Sequence, residues 1–325
     1  MVALLRSPQE TLQHSSDIGA APTLVDAEVF YAMPSESDTA LVSFGAKGGG
    51  HAHFHFFKLL KPLPDLTKLL VRDPSGSWYN AGLPGVGDTL EEIAAAIERE
   101  LRALSARRVI TAGSSMGAYA AILFGCMLGA ERAVALAPQT ILDPGLRHAP
   151  PESVVLQAPD LAPIIAAAPK TKVDLVAGWD DHLDVFNAHR VANLPSVRVL
   201  ALPGYRHDFV EDLHRENRLV RLIVDLVEGR VPEGCVVNPE LDPETVAGIA
   251  DTAYAVQRRD WPLVIEQMGH VVERYPSWAG PNFDLGRALV EMSDYERAQP
   301  PLARAVHANP SWADARLLLE RCAHR

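Results

Sequence analysis

The chain has 325 residues, 48% of them hydrophobic, and a formal net charge of -11. It is long enough to bury a substantial core and leave a second, smaller unit. The acidic balance, unbroken by any Lys/Arg cluster, excludes a phosphate-binding nucleic-acid surface. Three cysteines, Cys126, Cys235 and Cys322, are far apart and odd in number, which fits neither a disulfide framework nor a zinc site. The opening apolar stretch is too short for a signal peptide and no run reaches membrane length, so the expectation is a soluble, cytoplasmic protein.

In chain order, residues 1–23 read as a polar N-terminal segment, followed by strands over Leu24 to Tyr31 and Ala40 to Phe44. The second strand runs into Gly45-Ala-Lys-Gly-Gly-Gly50, a flexible loop whose amides can approach a substrate closely. Ala46 is the expected source of a backbone donor there, and Lys47 and His51 are candidate substrate contacts. His51, His53 and His55 alternate, but with no carboxylate or cysteine nearby they read as polar lining and no metal is expected. A strand over Leu66 to Arg72 leads into a long Gly/Pro loop bearing Trp78 and Tyr79. These two either touch an organic substrate or anchor the loop to the core. Thr89 caps a helix with Ile93, Ala96, Ile97 and Leu101 on one face.

The chain's organising stretch is Ala106 to Gly125. Val109, Ile110 and Thr111 form a short buried strand, and small apolar residues from Met116 onward follow a helical period. Between them lies Gly113-Ser-Ser-Met-Gly117. A serine at such a turn has its hydroxyl exposed at the positive end of a helix, with the following amide, that of Met116, free to receive charge. Glycines at both ends remove the Cβ atoms that would crowd it. Strands over Arg132 to Leu136, Val173 to Ala177 and Val197 to Leu202 follow, alternating with helices, which predicts a mostly parallel sheet covered on both faces with active groups at the C-terminal strand ends. Asp180 and Asp181 fall just beyond one strand, and His207 just beyond the next.

With Ser, Asp and His in this order and context, residues 24–228 resemble the α/β-hydrolase family, with Gly113 to Gly117 as the nucleophile elbow. The resemblance implies Ser115 as nucleophile, His207 as general base and then acid, and Asp181 as the residue that orients the imidazole, with Met116 and Ala46 as oxyanion donors. The Gly-x-x-Asp spacing from Gly178 selects Asp181; Asp180 is the alternative, and Asp184 is placed behind the triad. Only about thirty residues join the strands near Ala137 and Thr171, short for the family's lid, so an open site suited to a bulky acyl or alcohol group, such as a glycan or lipid ester, is expected.

Residues 229–243, rich in proline, read as a linker. Beyond it, at an offset of 34, Tyr275-Pro-Ser-Trp-Ala279 aligns with Asn309-Pro-Ser-Trp-Ala313 and Asp260-Trp261 with Asp294-Tyr295. Residues 244–325 resemble tetratricopeptide repeats. Leu285, Gly286, Ala298, Leu302, Ala305 and Pro310 sit at consensus positions, whereas the earlier copy is degenerate, with Asp251, Thr252, Val264, Met268 and Val271 at the matching sites. Two repeats and a terminal helix are too few to bury their own core, so they are expected to dock on the hydrolase unit or dimerise. The whole reads as an α/β-hydrolase sheet with a small all-α repeat domain, acting as a serine hydrolase or acyltransferase on an ester, thioester or amide. No cofactor is expected. The competing reading is a non-catalytic scaffold that binds a protein partner through its repeats.

Overall fold

The computed structural model describes residues 29–48, 54, 56–63 and 66–324. His51, His53 and His55, and the first residues of the strand expected from Leu24, lie outside the described residues. In chain order the elements are β1 (Phe30–Met33), β2 (Thr39–Phe44), α1 (Phe57–Leu60), β3 (Thr67–Val71), α2 (Leu90–Ala103), β4 (Arg108–Ser114), α3 (Met116–Met127) and β5 (Arg132–Leu136). Then come α4 (Ala162–Ala167), β6 (Lys172–Gly178), α5 (His182–His189), β7 (Val197–Leu202), α6 (Phe209–Arg215), α7 (Leu219–Val227) and β8 (Val236–Val237). The chain ends in α8 (Pro243–Arg258), α9 (Trp261–Arg274), α10 (Ala279–Glu291), α11 (Tyr295–Ala308) and α12 (Ala313–Ala323).

The strands form one sheet in the order β1-β3-β2-β4-β5-β6-β7-β8, parallel throughout except at its two edges, β1 against β3 and β8 against β7. Alternate residues enter different cores, as a doubly covered sheet requires. Val42 and Phe44, Leu69 and Val71, Ala133 and Ala135 pack with α2, α3 and α4 on one face. Leu41, Leu70, Val134 and Leu136 pack with α1, α6 and α7 on the other. The residues read as a linker contribute β8, which pairs Val236 and Val237 with Ala201 and Leu200.

Local chemistry fixes the helix starts. Thr89 accepts from the Glu92 amide while the Glu92 carboxylate accepts from the Thr89 amide, a reciprocal cap on α2. Asp242, Asp260 and Asp294 each cap a C-terminal helix through a first-turn amide. The starts of α9 and α11, Trp261 and Tyr295, and those of α10 and α12, Ala279 and Ala313, both recur at a spacing of 34 residues.

The helical layer docks on the sheet unit. Leu183, Val185 and Phe186 of α5 share one apolar cluster with Ile249, Ala253, Val264, Met268 and Val271. Among the described residues no helix is long and apolar enough to cross a membrane, and no group of three His, Cys, Asp or Glu could hold a metal.

Candidate active site

The turn from β4 into α3 is built by close approach. A Cβ on Gly113 would lie 2.1 Å from the Gly117 carbonyl oxygen, and one on Gly117 would lie 2.4 Å from the Phe44 carbonyl oxygen. Neither position can carry a side chain without moving backbone. Between them Ser115 adopts φ 54° and ψ -116°, a conformation rare for an L residue, held by the hydrogen bond its amide donates to the Leu136 carbonyl at 2.9 Å. The strain presents the hydroxyl at the head of α3, which is buried along almost its whole length.

His207 lies between β7 and α6, and its Nε2 is 3.1 Å from Ser115 Oγ. Its Nδ1 donates at 2.6 Å to Asp184 Oδ1, whose other oxygen accepts from the Gly178 amide at 3.0 Å. A carboxylate at that distance selects the Nδ1–H tautomer, leaving Nε2 as acceptor for the serine proton. Burial disfavours the imidazolium, but the bonded Asp184 and the nearby Asp181 outweigh it and raise the His207 pKa above its ordinary value.

The carboxylate expected on His207 was that of Asp181; the structure corrects this to Asp184. Asp181 is the N-cap of α5, accepting from the Leu183 and Asp184 amides at 3.1 and 3.4 Å. Its second oxygen takes Arg147 at 2.8 Å and Arg206 at 3.3 Å. Burial opposes the charge, yet the two guanidiniums hold this carboxyl well below its ordinary pKa. Asp180, the alternative, is buried and bonded to the Gly280 amide at 3.2 Å, and its desolvation lifts its pKa to about 6. The cue in the sequence was Asp181-x-x-Asp184 at a helix start: the first aspartate is consumed as the cap, and the second, one turn on, is free to reach the imidazole.

The long loop after β3 is organised by Asp73, whose carboxylate accepts from the amides of Ser75, Ser77 and Tyr79 at 2.9, 2.7 and 2.9 Å. Trp78 and Tyr79 are anchors of this loop and not surface contacts: both are buried and both have left-handed φ, 56° and 63°. Trp78 Nε1 donates to Gln139 at 2.6 Å, and the Tyr79 hydroxyl accepts from the Gly45 amide at 3.0 Å. Tyr79 therefore supports the loop that carries Ala46. Lys47 is exposed, with its ammonium 5.0 Å from the Trp78 ring centroid. A cavity of about 500 Å³ lined by Ser75 and residues 81–88 lies in the same loop and includes none of Ser115, His207 or Asp184.

Two residues were not singled out in the sequence because no motif marks them. The short connection from β5 to β6 reaches over the site and stacks His148 on His207, ring centroids 4.5 Å apart and planes 12° off parallel. His148 has φ 64°, and its carbonyl accepts from Gln139 at 3.0 Å. Burial, then the charges of His207 and Arg147, lower its pKa to about 4, so a neutral ring covers His207. The preceding residue is Arg147, one of the two guanidiniums on Asp181.

Sheet order, edge strands and a serine at the sharp turn between a central strand and its helix define an α/β-hydrolase fold, here with an added C-terminal all-α layer. No protein-family model and no curated protein matches the sequence. Solved structures do. The capsule O-acetyltransferase of Neisseria meningitidis serogroup A matches at 15% identity and a TM-score of 0.50, over 68% of this chain and 99% of that one. MenH from S. aureus matches at 12% identity and 0.44, over 62% and 98%. Est1E from Butyrivibrio proteoclasticus matches at 14% and 0.42, over 61% and 94%. At these identities the likeness is one of fold.

Proposed function

We propose that the chain is a serine hydrolase or acyltransferase that works through an acyl-enzyme on an ester, thioester or amide. The observation that carries this reading is the unbroken line from Ser115 Oγ through His207 to Asp184, with contacts of 3.1 and 2.6 Å. Ser115 Oγ attacks the acyl carbon as its proton passes to His207 Nε2, and Asp184 stabilises the imidazolium. Charge developing on the carbonyl oxygen is received by the amides of Met116 and Ala46. A first-turn amide such as Met116 has no carbonyl one turn back to bond, and the seating of Gly117 on Phe44 supports Ala46 as the second donor. As the tetrahedral intermediate collapses, the bond to the leaving group breaks and that group takes the proton from His207. Water or an acceptor hydroxyl then attacks the acyl-enzyme, giving its proton to His207, and Ser115 recovers a proton as it departs.

Transfer to a hydroxyl uses the same residues and differs only in which nucleophile the site admits. The fold-level likeness to a capsule O-acetyltransferase favours testing glycan hydroxyls as acceptors. The recurring helix pairs support a tetratricopeptide-like reading of residues 244–325.

The test is a fluorophosphonate probe, which reacts with an activated serine, applied to wild type, Ser115→Ala and His207→Ala with mapping of the modified peptide. Labelling at Ser115 that is lost in both variants is the expected result. No labelling of folded wild type overturns the proposal.

A further inference from the structure

The three groups of the candidate triad do not rest on the same support. Ser115 is held by the sheet and by α3, whereas the segments leading to Asp184 and His207 lie against the C-terminal helices. At the first of these, Trp278 Nε1 donates to the Trp179 carbonyl at 2.8 Å with the two indoles stacked 5.4 Å apart. The Gly280 amide donates to Asp180, and a Cβ on Gly280 would lie 2.8 Å from the Asp180 carbonyl oxygen, so α10 sits directly on this corner. Asp284 accepts from His182 Nδ1 at 2.8 Å, with both side chains buried. At the second segment, Asn309 Nδ2 donates to the Gly204 carbonyl at 2.8 Å. The guanidinium of Arg206, the residue before His207, lies over Phe283 and Trp312, 5.2 and 4.8 Å from their centroids, and its far end reaches Asp181.

We infer that the C-terminal helical layer is a built-in positioning element for the acid and the base, with Phe283 and Trp312 aiming Arg206 and α10 fixing the corner ahead of Asp184. This rests on the proposed function for its catalytic consequence, though not for its geometry. Apolar docking alone needs only α5 against α8 and α9. Apart from the Tyr254 hydroxyl on Asp143, the hydrogen bonds from this layer described above fall on residues 179–182 and 204–206, where an error of a fraction of an ångström is passed to the candidate triad. An aromatic face holds a guanidinium without competing for its hydrogen bonds, so Arg206 stays free to bond Asp181.

The groups facing His207 are Asp184 and Asp181 from the β6–α5 corner and Arg147 and His148 from the β5–β6 connection, with Arg206 and Asp208 as its chain neighbours. Releasing Arg206 from Asp181 leaves more uncompensated negative charge beside the imidazole and moves its titration upward in pH.

The experiment compares full-length wild type, Trp312→Ala, Trp312→Phe and Arg206→Met by two readouts, the NMR titration midpoint of His207 and the fluorophosphonate labelling rate at Ser115. The expected result for Trp312→Ala is labelling slowed about tenfold or more and a midpoint moved upward, in the direction also taken by Arg206→Met, with Trp312→Phe close to wild type. A wild-type rate and midpoint in Trp312→Ala overturn the inference, as does a shift in Arg206→Met that Trp312→Ala fails to reproduce. If wild type itself is not labelled, the proposed function falls and the midpoint alone decides. A moved midpoint keeps the inference and an unmoved one removes it. If Trp312→Ala does not fold, Trp312→Leu, which fills much of the same space and offers no aromatic face to the guanidinium, decides by the same readouts.

Discussion

Replacing Asp184 by asparagine separates the acid's electrostatic role from its shape. Asp184 uses one oxygen for the Gly178 amide and the other for His207 Nδ1. An asparagine can keep only one of these as an acceptor. With its oxygen on the Gly178 amide, its NH2 faces Nδ1 and forces the imidazole into the Nε2–H tautomer, so a proton and not a lone pair meets Ser115 Oγ at 3.1 Å. The base is then lost although every heavy atom stays in place. Removing the acid's charge and inverting the tautomer costs on the order of a thousand- to ten-thousandfold in rate, about 4–5.5 kcal/mol of transition-state stabilisation. Asp181→Asn supplies the contrast. It keeps the cap on α5 but removes the shared charge partner of Arg147 and Arg206. The cost therefore appears in folding stability, about 2–3 kcal/mol, reduced from a fully buried pair because the two side chains are 35% and 24% exposed. The assay is the second-order rate of fluorophosphonate labelling beside urea unfolding of each variant. A dead Asp181→Asn with an active Asp184→Asn would refute the assignment.

Labelling of wild type should rise with pH through a midpoint above 6.5, because His207 must lose the proton that Asp184 and Asp181 help it keep; a midpoint below that value contradicts the electrostatics. His148→Phe should keep the stacked ring and remove an acid sensitivity. With a folded pKa near 4 against an ordinary 6.5, His148 binds a proton in the unfolded chain first, so its contribution to stability is lost as pH falls through that window. Urea midpoints of wild type and this variant should therefore converge toward neutral pH, and a constant difference from pH 4 to 7 sinks the argument. Gly117→Ala should destabilise the fold by about 1–3 kcal/mol, since its methyl must displace the Phe44 carbonyl; an unchanged unfolding midpoint would mean that Gly117 is not seated against Phe44. Tyr79→Phe should cost about 1 kcal/mol, because the Gly45 amide keeps its bond to the Val71 carbonyl when the hydroxyl is gone. A loss of several kcal/mol on urea unfolding would mean the hydroxyl does more than brace the loop.

The strands were legible because buried parallel strands write continuous β-branched and aliphatic runs between turn signals. Arg132–Leu136 and Val197–Leu202 have the expected ends in the structure. The two-residue β8 was not legible, since Val236 and Val237 sit in a proline-rich stretch and are defined only by the edge of β7. Ser115 and His207 could be found because the one directly follows β4 and the other lies in the short turn after β7. His148 and Arg206 could not, because their places depend on chain segments far from them in sequence, His207 for the one and the rings of Phe283 and Trp312 for the other.

The corner between β6 and α5 shows why counting along the chain does not pick out the carboxylate that bonds His207. Three aspartates, Asp180, Asp181 and Asp184, lie within five positions, all buried, and chain position alone gives each a claim on the histidine. What separates them is the set of donors each can reach. A helix beginning at His182 takes one oxygen of Asp181 for its own first amides, and two arginines take the other. The head of α10 takes Asp180 through Gly280. Asp184, one turn into α5, has neither a cap to make nor an arginine to meet, and it is the carboxylate left to face the imidazole. All three aspartates thus depend on donors more than twenty residues away, Arg147 for Asp181, Gly280 for Asp180 and His207 for Asp184, so the carboxylate that meets the imidazole is chosen by the assembled fold, C-terminal helices included.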